Sequence, residues 1–240
     1  MATLIPSLGS CVPRMTPGER WLAERLEQKL DASHLLWYGV PVGPRQSQPG
    51  FVALHPRRGL LILETRDWKP ETIQQASRQA WDIVVDGRVK VVMSPFAQAR
   101  FCALQAVNAL ERDPQLVQAD GPSQGKLAFP WGYGVAFTHM TRQQFEAAGL
   151  GEAIEPRHVI CQDEMQPATS PEEFQRRLWN MRSPLSGGGS LSPGLLDRVR
   201  WSLFAPLRLP VPGAPFDDSN ALAMFPDMLR VMDLPQELLV

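Results

Sequence analysis

Cysteine is scarce in this chain: Cys11, Cys102 and Cys161 are the 3 among 240 residues. They are scattered and odd in number, and none lies at CxxC or Cys/His metal-ligand spacing. Neither a disulfide framework nor a zinc site is indicated, and bland thiols in a reducing, cytoplasmic setting are expected. No apolar run approaches the roughly 20 residues that span a bilayer, so no membrane partner is expected. Met1–Val12 has no basic segment ahead of its weakly apolar stretch and is not expected to act as a signal peptide. A phosphate loop, with glycines ahead of Lys and then Ser or Thr, is missing as well, so no ATP hydrolysis is expected of this chain. A surplus of one charge is also lacking. There are 24 Lys and Arg against 25 Asp and Glu, a formal net charge of -1. That argues against a protein that coats nucleic acid by bulk charge, but not against one with a local basic face.

What is present centres on Gly50–Trp68. Two apolar runs, Phe51–Leu54 and Leu60–Leu63, flank a turn at His55-Pro56-Arg57-Arg58-Gly59. The second run is continuous in apolar residues, as a strand covered on both faces is, and it ends abruptly in Glu64, Arg66 and Asp67. Charges at the end of a buried strand are costly unless paired, which makes them candidate site residues. A strand that simply exits into solvent is the plainer alternative.

Around this stretch the sequence predicts alternating elements. Residues 1–15 are spotted with Pro and Gly and are expected to be irregular. Thr16-Pro17-Gly18-Glu19 reads as a capping box opening a helix with Trp21, Leu22, Leu26 and Leu30 on its apolar face. His34–Val42 reads as a strand. Glu71–Ala80 reads as weakly helical or as surface loop. Asp86-Gly87 marks a hairpin turn between two runs of Trp81–Val92. Ser94-Pro95 starts a helix to about Glu111, expected to bury Phe96, Ala99, Phe101, Cys102, Leu104, Val107 and Leu110, with Gln98 and Gln105 also on it. Asp113–Pro130 is a connector, Gly132–Met140 a strand, Thr141 the cap of a short helix, and His158–Gln162 a short strand. Ser170-Pro171 and Ser192-Pro193 start two more helices. Ser186–Ser190 is a glycine-rich break, and the chain is Pro-rich after Ala205. The order implies an α/β domain with a mixed central sheet flanked by helices.

Glu19 in a first helix, Glu64-Thr-Arg66-Asp-Trp68 ending a strand pair, and Pro95-Phe-Ala-Gln98-Ala opening a later helix together resemble the nuclease-related domain family. That family falls within the PD-(D/E)XK, restriction-endonuclease-like superfamily. The core motifs fall within residues 16–112. Beyond them, Gly125–Gly134, Cys161-Gln-Asp-Glu164, Phe174–Trp179 and Asp197–Phe204 resemble the subgroup in which this domain precedes a UvrD-like DNA helicase, and Arg230–Glu237 resembles the segment just before such a motor. The division implied is an irregular segment at 1–15, a nuclease-related domain at 16–165, a helical extension at 166–204, and a linker and tail at 205–240.

The resemblance implies a site in which an Asp and a Glu on adjacent strands hold magnesium and a Lys two residues after the Glu assists the attacking water, with a helix Glu and a later Gln completing it. Glu19, Glu64, Arg66 and Gln98 stand at the matching catalytic positions here, with Glu64 as the metal ligand. Gly50 stands where the Asp is expected, which makes it a degenerate position, and Arg66 replaces the Lys. A guanidinium keeps the charge but cannot accept a proton, because its pKa exceeds about 12. The expected function is therefore a nuclease-related domain that binds or processes DNA through a degenerate site, acting with a DNA helicase or in DNA repair or anti-phage defence. The alternative is an active endonuclease, with Mg2+ as its cofactor. Asp67 should point to the opposite face from Arg66. Arg57, Arg58 and Arg66 are the candidate DNA contacts. Arg176-Arg177 and Arg198 with Arg200 read as solvated surface, His55 and His139 as structural, and Trp68 and Trp131 as core.

Overall fold

The computed structural model describes residues 1–42, 47–183 and 188–204. In chain order the regular elements are β1 (Thr3–Ile5), α1 (Leu8–Cys11), α2 (Pro17–Lys29), β2 (Leu35–Tyr38), β3 (Phe51–His55), β4 (Gly59–Arg66), β5 (Ile73–Ala76), β6 (Ala80–Val85), β7 (Arg88–Met93), α3 (Pro95–Leu110), β8 (Trp131–Phe137), α4 (Arg142–Ala147), β9 (Val159–Cys161), α5 (Pro171–Trp179) and α6 (Pro193–Leu203), with short 3-10 turns between some of them. The predicted break at 186–190 lies partly outside the described residues, and the Pro-rich tail lies wholly outside them.

A six-stranded mixed sheet in the order β1-β2-β3-β4-β8-β9 forms the centre, and a three-stranded sheet β5-β6-β7 lies beside it. The β3–β4 pair is antiparallel, with Phe51 opposite Leu63 and His55 opposite Gly59. β4 then runs parallel to β8. Alternation along β4 divides the molecule into layers. Leu61 and Leu63 lie in one apolar layer with Leu22 and Leu26 of α2 and with Phe174 and Leu178 of α5. Leu60 and Ile62 lie in the other, with Cys102, Ala106 and Leu110 of α3 and with Val199 and Leu203 of α6. Both faces of β4 are therefore covered, which is why its sequence reads as a continuous apolar run.

Helix starts follow the sequence closely. Thr16 and Glu19 form a full capping box on α2. Ser94, Ser170 and Ser192 each accept a backbone N–H at the start of α3, α5 and α6. Three expectations are corrected. The first segment is not irregular throughout, because β1 pairs in parallel with β2. Residues 73–76 form β5, not a helix or loop. Phe101 and Leu104 of α3 are exposed at 42% and 36%, so its buried stripe is narrower than the sequence suggests.

The small sheet is the excursion between β4 and α3. It is fastened by Trp81, which is fully buried. Its ring lies 5.9 Å from that of Phe137 and 5.6 Å from that of Trp68, and its Nε1–H donates to the Ser77 carbonyl at 2.9 Å.

Candidate nucleic-acid site at the end of β4

The carboxyl end of β4 is where the N-termini of α2 and α3 converge. Even-numbered residues of β4 face α3, so Glu64 and Arg66 emerge on that side. Glu64 is buried, 3% exposed, and does not exit into solvent. The Arg66 guanidinium is held by three acceptors. Nη1 donates to Glu64 Oε2 at 3.1 Å and to the Thr65 carbonyl at 2.7 Å, and Nη2 donates to Gln98 Oε1 at 2.7 Å. Its plane also lies over the Trp68 ring, 5.4 Å from the centroid. Three of the four residues expected to act together thus form one hydrogen-bonded group.

Burial pushes the Glu64 carboxyl up to about 7, against the opposing pull of the Arg66 charge, the Arg66 hydrogen bond and the Gly50 backbone amide. The charge of Glu19 adds a smaller upward push. Glu19 is therefore near enough to be felt, but its carboxylate is engaged elsewhere. It accepts from the Thr16 backbone N–H at 2.8 Å and from the Tyr38 hydroxyl at 2.9 Å. The cap and Tyr38 thus hold the Glu19 carboxylate apart from the hydrogen-bonded group of Glu64, Arg66 and Gln98.

Odd parity sends Asp67 the other way, as expected. Its Oδ2 accepts from the Gly18 N–H at 3.1 Å, and its Oδ1 accepts from the Thr138 hydroxyl at 2.7 Å. His139 lies on this side too, with Nδ1 3.2 Å from Thr138 Oγ1. A carboxylate against the first turn of a helix is favourable, and the packing leaves no room at Gly18. A Cβ there would stand 1.8 Å from Asp67 Oδ1 and 2.2 Å from Thr138 Oγ1. Gly18→Ala is expected to lower stability by about 1–3 kcal/mol, the usual range for overpacking, as read from urea denaturation midpoints. Asp67 and Thr138 were not paired by any sequence signal; only the parity of β4 pointed Asp67 towards α2.

Gly50 adjoins Glu64 where the β3–β4 ladder ends. A Cβ at this position would lie 3.1 Å from the Leu63 carbonyl and 3.6 Å from Thr65 Oγ1. Glu64 Oε1 and Thr65 Oγ1 are both buried with no hydrogen-bond partner among the described residues. The donor set fits a resident divalent ion poorly. Among the described residues it offers a single buried carboxylate, and one oxygen of that carboxylate already carries a guanidinium.

Arg57 and Arg58 lie in the turn at the far end of β4, about 25 Å from Arg66 at the rise of a strand. They do not share a patch with it. Arg176 and Arg177 are tied to Glu173, Arg177 also to Glu164, Arg198 to Asp113 and Arg200 to Asp197. Trp131 is buried, as expected of a core residue, whereas Trp68 is partly buried against the cluster that holds Trp81.

A second cluster escaped the sequence. Asp31, His34 and His55 bring one ligand-type atom each within 4.8 Å of one another. Its chemistry is structural. His55 Nδ1 accepts the backbone N–H groups of Arg57 and Arg58, each at 3.1 Å, and a neutral imidazole has only that one lone pair. His34 Nδ1 faces Asp31 Oδ1 at 3.1 Å. Burial pushes both imidazoles down, His55 to about 4. The cluster pins the β3–β4 turn to the start of β2, and His34 Nε2 remains as one open lone pair.

Residues 15–130 match the family model described as nuclease-related domain. No curated protein and no solved structure matches the chain.

Proposed function

We propose, from the premise that residues 15–130 are a nuclease-related domain of restriction-endonuclease-like fold, that this chain holds a DNA phosphodiester at the end of β4 without cutting it. One observation carries the proposal. The Arg66 guanidinium is fixed between Glu64 and Gln98, the latter in the first turn of α3. A fixed planar donor suits a phosphate. What hydrolysis would need is missing from the same place. Arg66 cannot take a proton from water, and among the described residues Glu64 is the one buried carboxylate at this place. Domains of this kind commonly use a divalent metal. Were one bound, Glu64 would be its ligand, and it would supply charge stabilisation and hydroxide.

A DNA helicase is the partner this reading favours, through the resemblance of residues beyond the core, with repair or anti-phage defence as the setting. The test is plasmid nicking in magnesium or manganese beside gel-shift binding in EDTA. No nicking is expected, together with binding that EDTA leaves intact. Arg66→Gln is expected to weaken binding roughly tenfold or more, the loss of a charge-assisted contact, and to lower the salt slope by about one. Nicking by the wild type that disappears in Glu64→Ala would establish the alternative, a magnesium-dependent endonuclease.

A further inference from the structure

We propose that the Arg66 guanidinium is the resident cation of this site, standing in the place of a divalent ion, and that it excludes such an ion from Glu64. The proposal deepens the DNA-holding reading and rests on it only for the identity of the anion that Arg66 faces.

The geometry gives three reasons. First, the guanidinium is not a loose surface group. It spends its donors on Glu64 Oε2, the Thr65 carbonyl and Gln98 Oε1, and it lies on Trp68. A divalent ion on Glu64 would sit within a few ångströms of a like charge and would have to displace the Arg66–Glu64 ion pair. Second, the remaining oxygens do not make a cation site on their own. Among the described residues Glu64 Oε1 is buried without a hydrogen-bond partner, and a hard divalent ion generally needs further carboxylate or carbonyl oxygens beside it. Third, the position that would supply the missing oxygens is identifiable. A side chain at residue 50 would start 3.1 Å from the Leu63 carbonyl, in tight but not blocked space, and the β3–β4 register sets position 50 across from position 64. Metal refusal is thus set at two positions, one by what is absent and one by what is present. Gly50 withholds a carboxylate and Arg66 supplies the competing charge.

The roles separate by measuring Mn2+ binding to the full chain, without DNA, from the loss of the free-ion electron paramagnetic resonance signal. Wild type is expected to leave the signal unchanged at millimolar Mn2+. Gly50→Asp alone is also expected to leave it unchanged, because Arg66 then pairs with both carboxylates. Gly50→Asp/Arg66→Gln is expected to deplete the signal. Binding by wild type that Glu64→Gln abolishes overturns the proposal, whether or not the variants fold. Equal binding by Gly50→Asp and the double variant overturns the role of the guanidinium. A double variant with native circular dichroism and no binding overturns the role of the two positions together. Because no DNA is present, loss of the DNA-holding reading would leave these results standing, and the reverse holds too.

Discussion

Glu64→Gln is expected to gain stability over wild type as pH rises from 4.5 to about 7, and to hold that gain above it. The window follows from the buried carboxyl, whose folded value is raised from 4.5 to about 7, chiefly by burial. Between those limits the folded protein keeps a proton that the unfolded chain has released. The folded state then binds more protons, so wild-type stability falls as pH rises through the window. The contribution is fully present below 4.5 and gone above the folded value. Glutamine does not titrate, so the difference between the two proteins isolates this group. The cluster His34 and His55, whose lowered values act in the opposite sense, cancels in the comparison. A raise of this size corresponds to about 3 kcal/mol across the window. Urea denaturation at a series of pH values reads it directly. A difference that stays flat from pH 4 to 8 would mean that Glu64 ionises as an exposed glutamate does, and that Arg66 fully neutralises its burial.

Trp81→Ala is expected to produce the largest loss among core substitutions in the small sheet, about 3–5 kcal/mol. The side chain is fully buried between Trp68 and Phe137 and also donates to the Ser77 carbonyl. Ile83 and Val92 of the small sheet pack in the same cluster, but both are far smaller than an indole and leave most of the vacated volume empty. Amide hydrogen exchange should show the loss as local before it is global. Protection in β5, β6 and β7 is expected to fall well below that of β3 and β4. Equal loss in both sheets would show that the small sheet is not a separable unit.

Much of this architecture was legible because its signals are local. A capping threonine with glutamate three residues on, or Ser-Pro ahead of an apolar run, states a helix start in four residues, and α2, α3, α5 and α6 all begin where those signals stand. The continuous apolar run of β4 likewise reported a strand covered on both faces. What escaped depended on distant neighbours. Ile73-Gln-Gln-Ala76 is too polar to announce a strand, and it pairs only because β6 lies alongside. Phe101 and Leu104 look like core residues by spacing, but α6 and the sheet leave them uncovered. At the site, the Glu64, Arg66 and Gln98 association was readable from sequence positions once a family pattern was in view. The contact of Glu19 with Tyr38, the pairing of Asp67 with Gly18 and Thr138, and the His34–His55 cluster were not, since each joins segments far apart in the chain.

The Arg66–Gln98 contact has a further consequence. Arg66 closes β4 and Gln98 lies in the first turn of α3, so the side chains that meet at the site also join the two ends of the β5–β7 excursion. The site is a clasp on a loop. Closing a longer loop costs little more than closing a shorter one, about 0.6 kcal/mol for each doubling. The excursion can therefore grow, shrink or change its outer face while the clasp keeps its geometry. Variation in what the excursion presents is thereby uncoupled from Glu64, Arg66 and Gln98.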